Sequence, residues 1–291
     1  MKDFNYFAPK TVTEALSVLA KLKGEGKIMC GGQSMLILMK QNMLTPEHIV
    51  DIKGLSELDY IKYSEKEGLR IGALSTHRAI EKSTVVKKRC PALAEMEDNL
   101  AVVQTRNWGT IGGNACHGDP AADPPSLFIV LNAKYKLVGP KGERVVNAED
   151  FYKDYLEVDL AHDELLCEIQ VPSLSANTGV AHEKLMAQKG DMGVVGAAAL
   201  VTIHPSTGVC QDARIVLTNV ASTPFRAKSS EKVLIGKVID EKLLEEAGKI
   251  AAEEVDPPSD VHGSEEYRKD MVRVFLKRVT AQAFEKAKQK K

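Results

Sequence analysis

Two short stretches hold the residue types best suited to chemistry. The first, IMCGGQSMLILMKQNM (28–43), breaks an apolar run with Gly31-Gly32-Gln33-Ser34 and restarts at helical spacing. The second, TIGGNACHGDPAADPP (110–125), carries another Gly-Gly pair within Thr110-Ile111-Gly112-Gly113-Asn114. Glycine has no Cβ, so it admits positive φ and lets another group approach the backbone. Successive N–H groups in such a turn can converge on one anion. A helix opening at Ser34 would add its dipole and its free N–H groups. Two such turns can clamp a diphosphate from both sides without a lysine. Gln33, Ser34, Thr110 and Asn114 would add side-chain hydrogen bonds, and the glycines would keep the path from amide to phosphate clear. Taken singly, each turn reads first as a tight connection between elements, and it is their pairing that brings the anion reading level with it.

Other chemistries lack their residues. There is no G-x-x-x-x-G-K-[ST], and GEGK (24–27) has neither the spacing nor the hydroxyl. No G-x-G-x-x-G follows the first strand, and no H-E-x-x-H or G-x-S-x-G is present. The five cysteines are Cys30, Cys90, Cys116, Cys167 and Cys210. They are odd in number, scattered and never in C-x-x-C spacing, which argues against a disulfide framework, a zinc site or an iron–sulfur cluster in this chain. With 39 basic and 40 acidic residues, no global field points to nucleic acid or a lipid surface. No stretch reaches the roughly 18 apolar residues of a membrane helix, and the start lacks a secretion signal. A cytoplasmic setting is the expectation. Lys286, Lys288, Lys290 and Lys291 read as the solvated last turn of a helix.

The elements that would position the turns follow from periodicity. TVTEALSVLAKLKG (11–24) predicts a helix, KIMC (27–30) a strand, Ser34 to Met43 a short helix, and HIVDI (48–52) a second strand. Met35, Met39 and Met43 are expected on the packed face of that short helix. YIKYSEKEGLRIGAL (60–74) and KYKLVGPKGERVV (134–146) predict hairpins. Helices are predicted at 75–83, 90–101 and 125–133, with no clear period across 102–125. ELLCEIQVP (164–172) predicts a strand. After the linker-like SLSANTG (173–179), segments 181–188, 196–205 and 210–220 predict an antiparallel meander. Helices at about 224–236, 240–255 and 265–290 follow. Strands and then helices suggest a separate α+β unit, with a boundary near 176.

GGQSMLILM, RNWGTIGGNACHGDPAADPPS and HEKLMAQKGDMGVVGAAAL occur here in the same order as in the FAD-binding medium subunits of molybdenum hydroxylases. The chain resembles that family over nearly its whole length, and most of all the carbon monoxide dehydrogenase type. Xanthine, aldehyde and nicotinate dehydrogenases carry related flavin domains. The resemblance implies an α+β fold: an FAD-binding domain of the vanillyl-alcohol-oxidase (PCMH) type over 1–176, with α/β subdomains of about 1–55 and 56–176. It implies a C-terminal domain over 177–291 with a three-stranded antiparallel sheet and a helical bundle.

Carried over by motif, the FAD diphosphate falls to Met29, Cys30, Gly31, Gly32, Gln33, Ser34, Met35 and Leu36 in the first turn. Thr110, Ile111, Gly112, Gly113 and Asn114 form the second. Asp123 matches a carboxylate near the ribityl or ribose hydroxyls, a sensible partner because it only accepts. Lys184 matches a lysine near the flavin ring, where a cation would stabilise the anionic reduced form. Leu100 and Leu166 match apolar contacts, and His117 lies within reach of the ring or the diphosphate. Asp119 reads as a turn former before Pro120 and Trp108 as a packing wedge. Cys30 and Cys116 read as small buried residues, and His77 and Arg78 as an ordinary helix start.

No residue of this chain is assigned a catalytic acid–base or metal-ligating role. The resemblance implies a large molybdopterin subunit and a small subunit with two [2Fe–2S] clusters, arranged as a dimer of heterotrimers. Electrons would pass from molybdenum through the clusters to FAD and on to NAD, a quinone, a carrier protein or oxygen. The complex would sit in the cytoplasm or at the inner face of the membrane. The 4-hydroxybenzoyl-CoA reductase flavin subunit has an inserted Cys-rich segment that is absent here, so that subtype is set aside. Two readings stand against this one. A stand-alone flavin reductase or oxidase would need a proton donor, for which only His117 or His182 is available. A flavin-free scaffold would use the glycine turns for structure alone.

Overall fold

Capping residues and changes of period mark out the elements. In the computed structural model, which describes residues 2–289, strand β1 (Asn5–Phe7) leads into helix α1 (Val12–Leu22). Thr11 Oγ1 accepts from the Glu14 N–H, satisfying one of the open donors at the helix start. Strand β2 (Gly26–Met29), helix α2 (Met35–Lys40) and strand β3 (His48–Asp51) complete a parallel sheet in the order β1-β3-β2. Strand β1 is missing from the sequence reading because three residues cannot display a period. The methionine stripe also needs correction. Met39 is fully buried and Met35 half-buried, but Met43 lies beyond α2 and is 72 % exposed. Lys290 and Lys291 lie outside the described residues.

The second layer begins with the hairpin β4 (Ile61–Ser64) and β5 (Gly68–Gly72). Six short helices follow: α3 (His77–Lys82), α4 (Thr84–Arg89), α5 (Pro91–Asp98), α6 (Val103–Trp108), α7 (Ile111–His117) and α8 (Asp123–Val130). Helices α6 and α7 correct the expectation of irregular chain across 102–125. Each is too short to set up a hydrophobic stripe, and the glycines of α7 mask it further.

Next come β6 (Lys134–Gly139), β7 (Gly142–Asn147), helix α9 (Ala148–Phe151), the ribbon β8 (Tyr152–Asp154) and β9 (Glu157–Val158), and β10 (Leu165–Val171). Strand β10 inserts between β5 and β6, giving an antiparallel sheet in the order β4-β5-β10-β6-β7. A bulge between Leu166 and Glu168 shifts its parity. Leu166, Ile169 and Val171 therefore share one face, packed on α5 to α8. Leu165 and Cys167 turn to the other core, with Ala15 and Leu19 of α1 and Val50 of β3.

The C-terminal part is the predicted meander: β11 (Thr178–Leu185), β12 (Val195–Ile203) and β13 (Cys210–Thr218), with a two-residue edge strand β14 (Phe225–Arg226). Helices α10 (Lys228–Leu234), α11 (Glu241–Glu254) and α12 (Glu265–Gln289) cover one face. Val180, Ala198, Leu200 and Val216 on the other face join the core of the second layer. Burial on both faces explains why GAAALVTI shows no polar alternation. Among the described residues, no helix is long and apolar enough to cross a membrane.

Candidate functional site

The two glycine turns meet backbone to backbone. A Cβ built on Gly31 would fall 2.1 Å from the Trp108 carbonyl oxygen and 2.8 Å from Gly109 Cα. One on Gly109 would lie 3.6 Å from Gln33 Cγ, and one on Gly113 3.8 Å from Cys30 Sγ. The sequence pairing of the turns is thus a spatial one.

Their amides differ in what remains open. In the first turn, no hydrogen bond among the described residues reaches the N–H of Gly32, Gln33, Ser34 or Met35, while Gln33 Nε2 folds back to Gly31 O (3.0 Å). Ser34 stands at the start of α2 without capping it. In the second turn the amides are spoken for. Ile111 donates to Ser75 O (3.0 Å), Gly112 to Ala73 O (2.9 Å), Gly113 to Thr110 Oγ1 (3.2 Å) and Asn114 to Thr110 O (2.9 Å). Thr110–Asn114 is the capped first turn of α7 rather than an open nest.

The glycines also act differently from the expected clear path to an anion. Gly31 admits the second turn. Gly32 supplies a φ of +68°, and its Cβ would meet Leu36 Cδ1 at 2.9 Å. Gly112 lets α7 pack on Ala73, whose Cβ lies 2.6 Å from the added atom, and a Cβ on Gly113 would press on Thr110 Oγ1 at 2.8 Å. Trp108 is no wedge: its ring is 54 % exposed, with Lys53 Nζ 4.4 Å from the ring centre, and its carbonyl is the part that packs.

Asp123 and Lys184 come together across the two halves. Asp123 is the first residue of α8, where the helix dipole favours a carboxylate. Alternation along β11 puts His182 and Lys184 on one face, opposite the small Ala198 and Gly196 of β12. Lys184 Nζ donates to Asp123 Oδ2 (2.6 Å) and to Asp191 O (3.0 Å). His182 Nε2 is 3.7 Å from Asp123 Oδ1, and neither atom has a hydrogen-bond partner. Burial lowers the His182 pKa below its usual range, against the pull of Asp123, so the ring is neutral near pH 7. Asn114 Oδ1, on α7, is a third buried atom without a partner. Such atoms are scarce in folded proteins, and a ligand rich in hydroxyl and amide groups would satisfy them.

The remaining candidates scatter. Met29, Cys30, Met35, Leu36 and His117 are half-buried, and His117 ends α7. Leu100, Ile111 and Leu166 belong to the hydrophobic core of the second layer. Asp119 Oδ1 accepts from the Ala121 N–H (2.8 Å), the turn role expected of it. Burial pushes the Cys30 thiol up to about 11 and raises Cys116 further, so both are unreactive near pH 7.

Sequence reading misses the support beneath the second turn. His77 is buried, not an idle helix start: its N–H donates to Gly109 O (3.0 Å), and its Nδ1 is hydrogen-bonded to the buried Glu97 Oε2 (2.8 Å). Arg106 pairs with Glu81 (2.9 Å) and donates to the carbonyls of Leu100 (2.7 Å) and Ala101 (2.9 Å). For Glu81, burial raises the pKa, but hydrogen bonds from Arg78 and Lys82 and the Arg106 charge outweigh it and hold the carboxyl at about 2. The available signal is the spacing of His77 and Glu81, four residues apart on one helical face.

Known proteins share this architecture. Residues 2–174 match the family described as the FAD binding domain in molybdopterin dehydrogenase, and residues 181–283 match the CO dehydrogenase flavoprotein C-terminal domain. The carbon monoxide dehydrogenase medium chain of Afipia carboxidovorans is 38 % identical, covering 98 % of both chains. The glyceraldehyde dehydrogenase medium chain of Sulfolobus acidocaldarius is 33 % identical, covering 94 % of this chain and 95 % of that one. The crystal structure of quinoline 2-oxidoreductase from Pseudomonas putida 86 contains a chain 33 % identical, with a TM-score of 0.92, covering 99 % of this chain and 100 % of that one.

Proposed function

The chain belongs to the FAD-binding medium subunits of the molybdenum hydroxylases, and from that premise we propose where it holds its cofactor and with what it assembles. Its fold is the PCMH-type FAD-binding fold followed by the carbon monoxide dehydrogenase flavoprotein C-terminal domain, and its function is that of an oxidoreductase's electron-transfer subunit. The domain division is drawn at 176, with subdomains of about 1–55 and 56–176.

The observation that carries the site is the docking of the two turns at Gly31 and Gly109, next to four open amides, in a fold whose buried unpartnered polar atoms include those of Asn114, Asp123 and His182. These features fit FAD. The amides of Gly32, Gln33, Ser34 and Met35 bind the diphosphate, helped by the start of α2. The second turn holds the first in place and offers the Asn114 side chain. Asp123 Oδ1 accepts from cofactor hydroxyls, while Oδ2 stays on Lys184. The Lys184 ammonium balances the Asp123 carboxylate, and neutral His182 adds no charge to the pair. Bound FAD supplies a two-electron store that can be filled one electron at a time.

The partners are a large molybdopterin subunit and a small iron–sulfur subunit, in a dimer of heterotrimers, with NAD, a quinone, a carrier protein or oxygen as final acceptor. The cytoplasm or the inner face of the membrane is the proposed setting. That relatives named for carbon monoxide, glyceraldehyde and quinoline are all similar to this chain supports the reading that substrate choice lies on the molybdopterin subunit.

Purification with its partner chains and a visible absorption spectrum test the assignment. A flavin band with one extractable FAD per chain is expected, and a colourless, folded chain would overturn the cofactor reading. Turnover of a small organic substrate by the flavin-loaded chain alone would overturn the electron-transfer reading in favour of a stand-alone flavoenzyme.

A further inference from the structure

Residues 186–194 link β11 to β12 immediately after Lys184 and Leu185. Residues 187–189, 191 and 192 are exposed, so burial does not fix their path. The segment nevertheless crosses to the FAD-binding half: a Cβ on Gly190 would lie 3.3 Å from Val102 Cγ1 and 3.4 Å from Ala101 O. Its near end is closed by Gln188 N–H to Asp191 Oδ2 (2.9 Å) and by Lys184 Nζ to Asp191 O (3.0 Å).

Its far end is held by Asn219, just after β13, and by Arg268 of α12. Asn219 Nδ2 donates to Gly193 O (2.7 Å) and Val194 O (3.3 Å). Arg268, at the start of α12, donates from Nη1 to Val194 O (2.5 Å) and Asn219 O (3.3 Å), and from Nη2 to Asp260 Oδ1 (2.7 Å). Arg268 is fully buried, and both of its terminal nitrogens are used while its Nε has no partner. Asn219 sits at φ +61°, and its own N–H donates to Pro120 O (2.8 Å), three residues before Asp123. The Asn219 and Arg268 side chains thus hold the loop beyond Lys184, and the Asn219 backbone ties the same point to the segment before Asp123.

We infer that Arg268 and Asn219 are positioning residues that brace 186–194 and thereby hold the Lys184 ammonium on Asp123. The effect on the cofactor rests on the FAD reading above; the brace itself does not. The guanidinium and the amide fix the loop on the Lys184 side, and the Asn219 backbone fixes the Asp123 side, so a disturbance at α12 is felt at the Lys184–Asp123 contact.

Asn219→Gly tests this cleanly, because glycine keeps the positive φ and removes only the amide. Arg268→Gln and Arg268→Lys complete the set in the full-length chain. In Asn219→Gly, hydrogen exchange of the amides in 186–194 is expected to accelerate about fivefold to tenfold, the effect of one or two lost hydrogen bonds, with exchange in β12 and β13 unchanged. Bound FAD should dissociate several-fold faster, and its visible circular dichroism should change. Arg268→Lys should recover part of the protection that Arg268→Gln loses. Unchanged loop exchange in a folded Asn219→Gly would overturn the brace, whether or not Arg268→Gln folds. A wild-type chain without flavin would instead overturn the FAD reading, and loop exchange would still decide the brace.

Discussion

Lys184 Nζ lies 2.6 Å from Asp123 Oδ2, with the two side chains 4 % and 5 % exposed. One belongs to the C-terminal sheet and the other to the first turn of a helix in the FAD-binding half. Burying two charges is costly, and their attraction repays that cost only while both are present. Lys184→Met should therefore destabilise the chain by about 3 kcal/mol, the range for breaking a buried pair. Adding Asp123→Asn should recover part of the loss, since no charge is then stranded. Urea unfolding of the two single variants and the double variant measures the coupling, and strictly additive losses would contradict it.

The docking of the turns predicts an ordering among glycines. Gly31→Ala drives a methyl group into the Trp108 carbonyl and should lower stability by about 2–3 kcal/mol and deplete bound flavin. Gly32→Ala carries chiefly the strain of its positive φ, about 1 kcal/mol. Gly54→Ala, where nothing lies within 4 Å of the new atom, should leave flavin content unchanged. Thermal melts and flavin stoichiometry rank the three, and a Gly31→Ala chain that matches Gly54→Ala would contradict the docking argument.

Glu81 predicts an acid limb in the stability profile. Its carboxyl is held at about 2 in the folded chain against an ordinary 4.5. Its contribution is complete above pH 4.5 and is lost as pH falls toward 2. Glu81→Gln should cost on the order of 2 kcal/mol at pH 7. The gap to wild type should close steadily between pH 4.5 and 2, which chemical denaturation across that window would show.

His182 predicts a limb of its own. Burial depresses its pKa below the ordinary 6.5, so below pH 6.5 the unfolded chain binds the proton more readily than the folded one. Stability from this group is complete above pH 6.5 and declines as pH falls. His182→Gln should flatten the slope just below 6.5 while leaving the Glu81 limb intact. A slope unaltered by the substitution would show that His182 titrates normally.

Much of this was legible from residue order. The middle strand after 176, β12, is a continuous apolar run, and its length separates it from a helix. The hairpins carry charged or Gly-Pro turns, and Thr11 and Thr110 stand where helix caps belong. The glycine turns stood out, and their pairing proved spatial. Their roles did not follow, because whether a Cβ meets solvent or the Trp108 carbonyl depends on a contact between distant segments. Helices α6 and α7 stayed hidden because six or seven residues, two of them glycine in α7, cannot establish a period. The His77–Glu97 pair joins different helices, and the Asp123–Lys184 pair joins a helix of one half to a strand of the other. Such pairs leave no local trace.

Gly31 has a consequence for biosynthesis. Its bare backbone face is closed by Trp108 and Gly109, which leave the ribosome several seconds later at the usual ~5–20 residues per second. A nascent chain ending before Trp108 has the first glycine turn without the backbone it docks on. On the proposed site, flavin capture is therefore a late event in the life of the polypeptide, and products truncated before Trp108 are expected to be apo.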